Sequence, residues 1–270
     1  MRIRISHETS FAYDQPVRSV LQALRVMPRD HEGQVVVSWR IDASVDGRLR
    51  SGEDAFGNLV HHFQAEGPFN SFVLRVHGIV ETLDTTGFVR GTVDRMPADV
   101  FRRDSALTQP DEAMQLFARK LARASGSPLE QLHALMEAIH GEIRAEDTPQ
   151  QTFVRAADAF AARKGNARDS AQIFCGSARA LGIPARFVEG YVAGESQIGE
   201  IAQRHAWAEA FVEGYGWISF DPSMNLCPTE AHVRVAVGLD QDDTAPIRLS
   251  RVGGGGEKTT ATVSIQQIDQ

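Results

Sequence analysis

The sequence predicts an α+β fold with a β-rich region in front of a mixed core, and three observations carry that expectation. Residues 1 to about 95 read almost entirely as strand, with alternation or short apolar runs at 2–5, 35–41 and 72–76, broken at turn residues such as Asp46-Gly47 and Phe56-Gly57-Asn58. From Pro97 the period changes, and 111–124 and 128–145 repeat at helical spacing, the second with Leu129, Leu132, Leu135, Met136 and Ile139 on one side. After Pro184 the chain returns to strand patterns at 186–192, 205–212 and 217–220.

The first element is a small sheet or sandwich, bounded near residues 95–110. A third, short helix is expected at about 156–164. It leads into Gly165-Asn166-Ala167-Arg168-Asp169-Ser170-Ala171, the turn that opens a central helix. Apolar residues at 171, 174, 178 and 181 give that helix one buried face. Asn166 is a good N-cap, Asp169 stands three residues later in capping-box position, and Gly182-Ile183-Pro184 stops the helix. Residue 167 is then the first helical residue, where unpaired N–H groups and the positive end of the dipole favour developing negative charge. A cysteine there would be activated; the residue present is alanine.

Glu213-Gly214-Tyr215-Gly216 is a hairpin turn signal. A hairpin turning near 214 brings His205, at the start of one strand, to the same end of the sheet as Asp221, at the end of the other. Residues 233–237 look like another strand. The glycine run 253–256 reads as a flexible hinge before 259–265, which alternates well enough to return as an edge strand. The expected domains are therefore 1–95, 96–250, and a hinge with edge strand at 251–270.

Composition narrows the function classes. The 270 residues carry a formal charge of −7, with 42% apolar and 23% charged residues, which is ordinary for a globular protein and unlike a nucleic-acid footprint. The N-terminus has no apolar leader segment and no stretch approaches a membrane span, so a soluble cytoplasmic protein is expected. Two cysteines, Cys175 and Cys227, fit free thiols in a reducing compartment. His61 and His62 fall on a strand and should face opposite sides, which argues against a metal site from that pair.

Taken together, Gly165-x-Ala167-x-Asp169-x-Ala171, Ala180-Leu181-Gly182-Ile183-Pro184-Ala185-Arg186, Gly190-Tyr191, His205-Ala206-Trp207-Ala208-Glu209 and Gly216-Trp217-x-x-x-Asp221-Pro222 resemble the bacterial transglutaminase-like family. His7-Glu8-Thr9, Tyr13, Pro16-Val17 and 54–58 resemble the β-rich N-terminal domain that accompanies that core. The resemblance implies a papain-like α+β core, a helix bundle on an antiparallel sheet, with a Cys-His-Asp triad. His205 falls on the general base, Asp221 on the residue that orients it, and the nucleophilic cysteine falls on Ala167. It further implies thiol attack on a peptide or glutaminyl amide, with release to water (peptidase or amidase) or to an amine (crosslinking transglutaminase), hydrolysis being the expectation for bacterial members. No metal or organic cofactor is implied, and the partner is a peptide or protein substrate rather than nucleic acid or membrane.

The physical reading agrees: acyl transfer needs a nucleophile within reach of a base that a third group holds, and a thiol at a helix N-terminus beside a histidine has a lowered pKa. Alanine keeps the helix and cannot attack. Cys175 lies eight residues further on, about 12 Å at roughly 1.5 Å per residue, and Cys227 reads as a small buried apolar residue. Ala167 is compatible with a replaced nucleophile in an active enzyme or with a natural pseudoenzyme that binds peptide. A two-domain interaction scaffold with a vestigial cleft is the reading from a different class.

Overall fold

A computed structural model describes residues 1–146, 153–194 and 204–268. Four strands come first: β1 (Arg2–Leu24), β2 (Gln34–Ala43), β3 (Arg48–Glu53) and β4 (Leu59–Thr82). A two-residue strand, β5 (Phe88–Val89), and a 3-10 turn (Ala98–Arg102) lead to α1 (Glu112–Ala124) and α2 (Pro128–Glu142). The short strands β6 (Arg144–Ala145) and β7 (Lys164–Gly165) pair in parallel on either side of α3 (Ala156–Ala162). Then come α4 (Ala167–Ala180), β8 (Ala185–Val192), β9 (His205–Val212), β10 (Gly216–Phe220), β11 (His232–Gly238), β12 (Ile247–Gly253) and β13 (Glu257–Gln267).

The described strands form two main sheets. One runs β12-β1-β4-β2, with β13 also on β1 and β3 also on β4; the other runs β11-β8-β9-β10-β5. In β1 the buried face is read by Ile3, Ile5, His7, Thr9, Phe11, Tyr13 and Val17, then by Val20, Gln22 and Leu24. The switch from odd to even positions coincides with a register shift between Val17 and Ser19, because an extra residue in a pleated strand sends every later side chain to the opposite face. The second half of this sheet buries its own core of Val20, Leu24, Phe63, Phe72 and Leu74.

Three assignments differ from the sequence reading. The chain enters the second sheet at β5, before residue 95, because Phe88 and Val89 pair with Ile218 and Trp217. It also leaves that sheet before residue 250, since β12 pairs residue by residue with Leu24 back to Ser19 of β1 and, past a register shift, with Val17. The glycine run does not interrupt the edge. Gln15 N donates to Gly254 O and Asp14 N to Gly256 O, each at 3.1 Å, so β12 and β13 follow β1 as one strand with a bulge opposite residues 14–16. Gly253, Gly254 and Gly255 have φ of +87°, +97° and +62°, a left-handed stretch that residues with a Cβ resist.

The two sheets meet at β11. Ile3, Ile5, Val80 and Val263 of the first pack on Tyr191, Val233, Val235 and Ala236 of the second. Two amide side chains complete the seam: Gln34 takes the N–H (2.8 Å) and C=O (2.9 Å) of Arg234, and Asn58 those of Val237 (2.8 and 2.7 Å). They supply to the edge strand β11 the partners that another strand would have given.

Helix α4 covers the face of the second sheet that carries Phe187, Ala208 and Phe220. Its Ala171, Phe174, Cys175 and Ala178 pack against Ala206, Ala208 and Ala210 of β9 and against Phe187, Ile218 and Phe220. Three alanines at alternate positions of β9 let the helix approach closely, and burying Phe174 and Phe220 fully is worth about 1.5–3 kcal/mol each. The helix is held by the middle of the sheet, and Arg168 of its first turn reaches Glu189, which pairs with Ala206 near the start of β9.

Candidate active site

The start of α4 is fixed by its own sequence. Asn166 Oδ1 accepts the N–H groups of Arg168 (2.9 Å) and Asp169 (3.2 Å), while Asp169 Oδ2 accepts the Asn166 N–H at 2.9 Å, a reciprocal capping box. A Cβ at Gly165 would come within 2.7 Å of the Asp169 side chain, so the turn into the helix needs glycine. The cap consumes two of the first three helical N–H groups, and the N–H of Ala167 has no acceptor among the described residues. Of the first three helical N–H groups, this is the one the cap leaves unused. Ala167 itself is partly exposed.

His205 and Asp221 are brought together by the β9–β10 hairpin, whose register pairs Phe220 with Ala208 and Gly216 with Val212. His205 Nε2 lies 2.5 Å from Asp221 Oδ2. A carboxylate oxygen accepts, so Nε2 carries the proton, and the neutral ring has its lone pair on Nδ1. The His205 side chain is 18% exposed and that of Asp221 fully buried. The second oxygen of Asp221 accepts from Ser223 N (3.0 Å), Ser223 Oγ (2.7 Å) and Met224 N (3.1 Å). Burial alone would push this carboxyl up, but the hydrogen bonds from His205, His232 and Ser223 hold it well below the usual carboxylate range.

His232, at the start of β11, has no counterpart in the sequence reading. Its Nε2 is 3.4 Å from the same Asp221 Oδ2, and its ring stands edge-on to Trp207 with centroids 5.3 Å apart. Nothing local signals it: the residue joins the site through the pairing of β11 with β8, where His232 lies opposite Val192. The ligand-capable atoms of His205, Asp221 and His232 all lie within 4.8 Å of one another, the donor set of a two-histidine, one-carboxylate metal centre. The hydrogen bonding does not suit one. Thr229 N donates to His232 Nδ1 at 3.2 Å, which leaves the proton on Nε2, and a protonated nitrogen cannot ligate.

Next to Ala167, Arg168 reaches back to β8 and makes a two-nitrogen contact with Glu189, Nη2 to Oε1 at 2.9 Å and Nε to Oε2 at 3.2 Å. Arg204 Nε takes the same Oε1 at 2.9 Å, and its guanidinium lies over the Tyr191 ring. Glu189 is buried, which on its own would raise its pKa, but the two guanidinium charges hold it down. Tyr191 in turn bonds His7 Nδ1 of β1 at 3.1 Å, so a chain of contacts runs from His7 of the β-rich region through Tyr191, Arg204 and Glu189 to Arg168 at the α4 start.

The two cysteines are elsewhere. Cys175 is fully buried on the inner face of α4, and burial pushes its thiol up to about 12. Cys227 follows β10 and packs against the α/β core, where burial also raises its thiol. Neither has the electropositive, accessible surroundings of an attacking thiolate.

Comparison with known proteins places both halves. Residues 115–222 match the transglutaminase-like superfamily and residues 3–81 the bacterial transglutaminase-like N-terminal region. An uncharacterized protein of Mycobacterium leprae is 25% identical over 282 residues, covering 99% of each chain. One of Mycobacterium tuberculosis is 25% identical over 275 residues, covering 92% of this chain and 86% of the relative. Among solved structures, that of a "Putative Cysteine Protease" from Cytophaga hutchinsonii superposes with a TM-score of 0.79 at 21% identity, over 100% of this chain and 91% of that one, which shows a common fold. The first match contains Ala167, His205 and Asp221 and the second contains β1 to β4 almost whole; the chain carries the bacterial transglutaminase-like N-terminal region followed by the transglutaminase-like core.

Proposed function

We propose that this chain holds the site of a thiol-dependent amide hydrolase whose attacking position is taken by Ala167, and that it binds peptide or glutaminyl amides there without cleaving them. The observation that carries the reading is the His205–Asp221 pair, with its Nδ1 lone pair available, together with a capped helix start whose first N–H lacks an acceptor among the described residues. In an acyl transfer the base takes the thiol proton, the helix N–H receives the developing oxyanion, and the imidazolium returns its proton to the leaving amine. Every one of these parts supports the reading except the sulfur. An alanine side chain leaves the helix start and its cap unaltered, so substrate contacts made by backbone and by neighbouring side chains survive its presence.

The test is Ala167→Cys. The new thiol should be alkylated by iodoacetamide with a pH midpoint well below the unperturbed value of about 8.5, and adding His205→Ala should return that midpoint towards it. A thiol at 167 that titrates ordinarily and ignores His205 would overturn the reading. The unaltered chain is expected to bind a glutamine-containing peptide saturably, whereas a scaffold with a vestigial cleft would not.

A further inference from the structure

We infer that His232 is a positioning residue for the His205–Asp221 pair, and that through it the β-rich N-terminal region sets the geometry of the site. The inference rests on the site proposed above and adds to it a second imidazole contact on Asp221 that neither the motif nor the family match identifies.

The argument begins with the carboxylate. Asp221 has one oxygen saturated by three donors from residues 223 and 224, so the carboxyl plane is pinned on that side. Oδ2 faces the two imidazoles. His205 approaches it at 2.5 Å and His232 at 3.4 Å, a long contact by comparison. A carboxylate oxygen with two lone pairs can hold both donors, and the second takes up the lone pair that would otherwise draw in water or allow the carboxyl to swing. His232 can only donate at that nitrogen, because the Thr229 N–H occupies its Nδ1. Its own backbone N–H bonds Thr229 O at 3.1 Å, so ring and backbone are tied to the same turn. Trp207 closes the space on the other side, edge-on to His232 at 5.3 Å and stacked beside His205 at 6.3 Å between centroids. The His232 side chain is 3% exposed; it meets no solvent and has no surface role.

The second half of the inference follows from where His232 sits. Its chain neighbour Val233 is fully buried against Ile3, Ile5, Val80 and Val263 of the other sheet. One residue further, the backbone of Arg234 is gripped at both N–H and C=O by Gln34. β11 is an edge strand of its own sheet, and edge strands are positioned by what covers them. Here the cover is the N-terminal region, and the first residue of the covered strand bonds the carboxylate that orients the base. A displacement of β1 or β2 against β11 therefore moves the His232 imidazole relative to Asp221.

The first measurement uses the chain as it stands. Nitrogen-15 spectra of the imidazoles should show His232 as the Nε2–H tautomer, with a downfield proton for His205 Nε2–H; an Nδ1–H tautomer at His232 overturns the inference. The second uses Ala167→Cys as parent. His232→Leu removes the donor and should lower the plateau alkylation rate about tenfold and move the His205 proton signal, whereas His232→Gln, whose amide nitrogen reaches a similar point, should stay within about twofold, the contrast expected for one hydrogen bond to a charged group. Equal rates for Leu, Gln and parent would leave His232 a packing residue and overturn the positioning role. Failure of the parent thiol to show a depressed midpoint would sink the hydrolase reading instead, while the tautomer and the His205 signal would still decide the role of His232.

Discussion

Two carboxylates are buried in the second sheet, and their surroundings differ in one respect that decides what each can do. Glu209 lies between Arg186 (2.5 Å) and Arg234 (2.8 Å), and Asp221 between His205 (2.5 Å) and His232 (3.4 Å). Both carboxylates are fully buried and both are held below their usual range, Glu209 at about 2. In each case burial opposes the shift and the partners overcome it. The partners of Glu209 are permanently charged, so the cluster is fixed over any ordinary pH; the partners of Asp221 can gain and lose protons. The same electrostatic arrangement is a brace in the middle of β9 and a chemically responsive site at its start, four residues away.

The comparison is broken most severely at Asp221. In the Ala167→Cys background, Asp221→Asn should leave the fold in place while reducing alkylation by up to about 10⁴-fold at neutral pH. The amide has one oxygen, which the three donors at residues 223 and 224 claim; its NH2 then faces His205 and drives that ring to the tautomer with the proton on Nδ1, where the base is needed. Retained reactivity would show that Asp221 does not set the tautomer.

Glu209→Gln reverses the pattern. It should cost about 3–5 kcal/mol in urea unfolding, because the buried charge that Arg186 and Arg234 share is lost and only Arg186 keeps another carboxylate, Asp94, and leave the His205–Asp221 proton signal in place. The sign of the pH dependence follows from a depressed carboxyl: the stability Glu209 contributes is fully present above its ordinary value near 4.5 and is lost as pH falls towards about 2. The variant should lack that part of the acid slope, and an unchanged slope would assign the acid sensitivity to other carboxyls.

The smallest expected effect is at the helix cap. Asn166→Ala should cost about 1 kcal/mol, read by thermal unfolding, and it frees the N–H groups of Arg168 and Asp169 near Ala167. A larger loss would mean that the capping box also holds the β6–β7 pair that precedes it.

What was legible in the sequence is what neighbours in the chain determine. Asn166, Asp169 and the stop at 182–184 define α4 because capping is decided within a few residues, and the structure begins and ends that helix at Ala167–Ala180. The β9–β10 hairpin was legible for the same reason, and with it the convergence of His205 on Asp221. Long-range pairing was not. β1 and β4 run 23 and 24 residues, far beyond the short runs that alternation picks out, because their bulges interrupt the period. The partners of Arg186 and Arg234 around Glu209, the seat of Gln34 and Asn58 on β11, and His232 itself all depend on which strands become neighbours, and no periodicity encodes that.

One feature of the first sheet bears on the order in which the molecule is made. β1 is flanked on one side by β4 and along the other by β12 and β13, so its outer edge waits for residues 247–267 to leave the ribosome. Between Leu24 and Ile247 lie some 220 residues, on the order of ten to forty seconds of synthesis at about 5–20 residues per second. Throughout that interval the β1 edge is open, while every element of the α/β core becomes available to fold. The strands made after the core therefore act as a seal on β1, and a chain that has released its core but not residues 247–267 exposes a pairing edge.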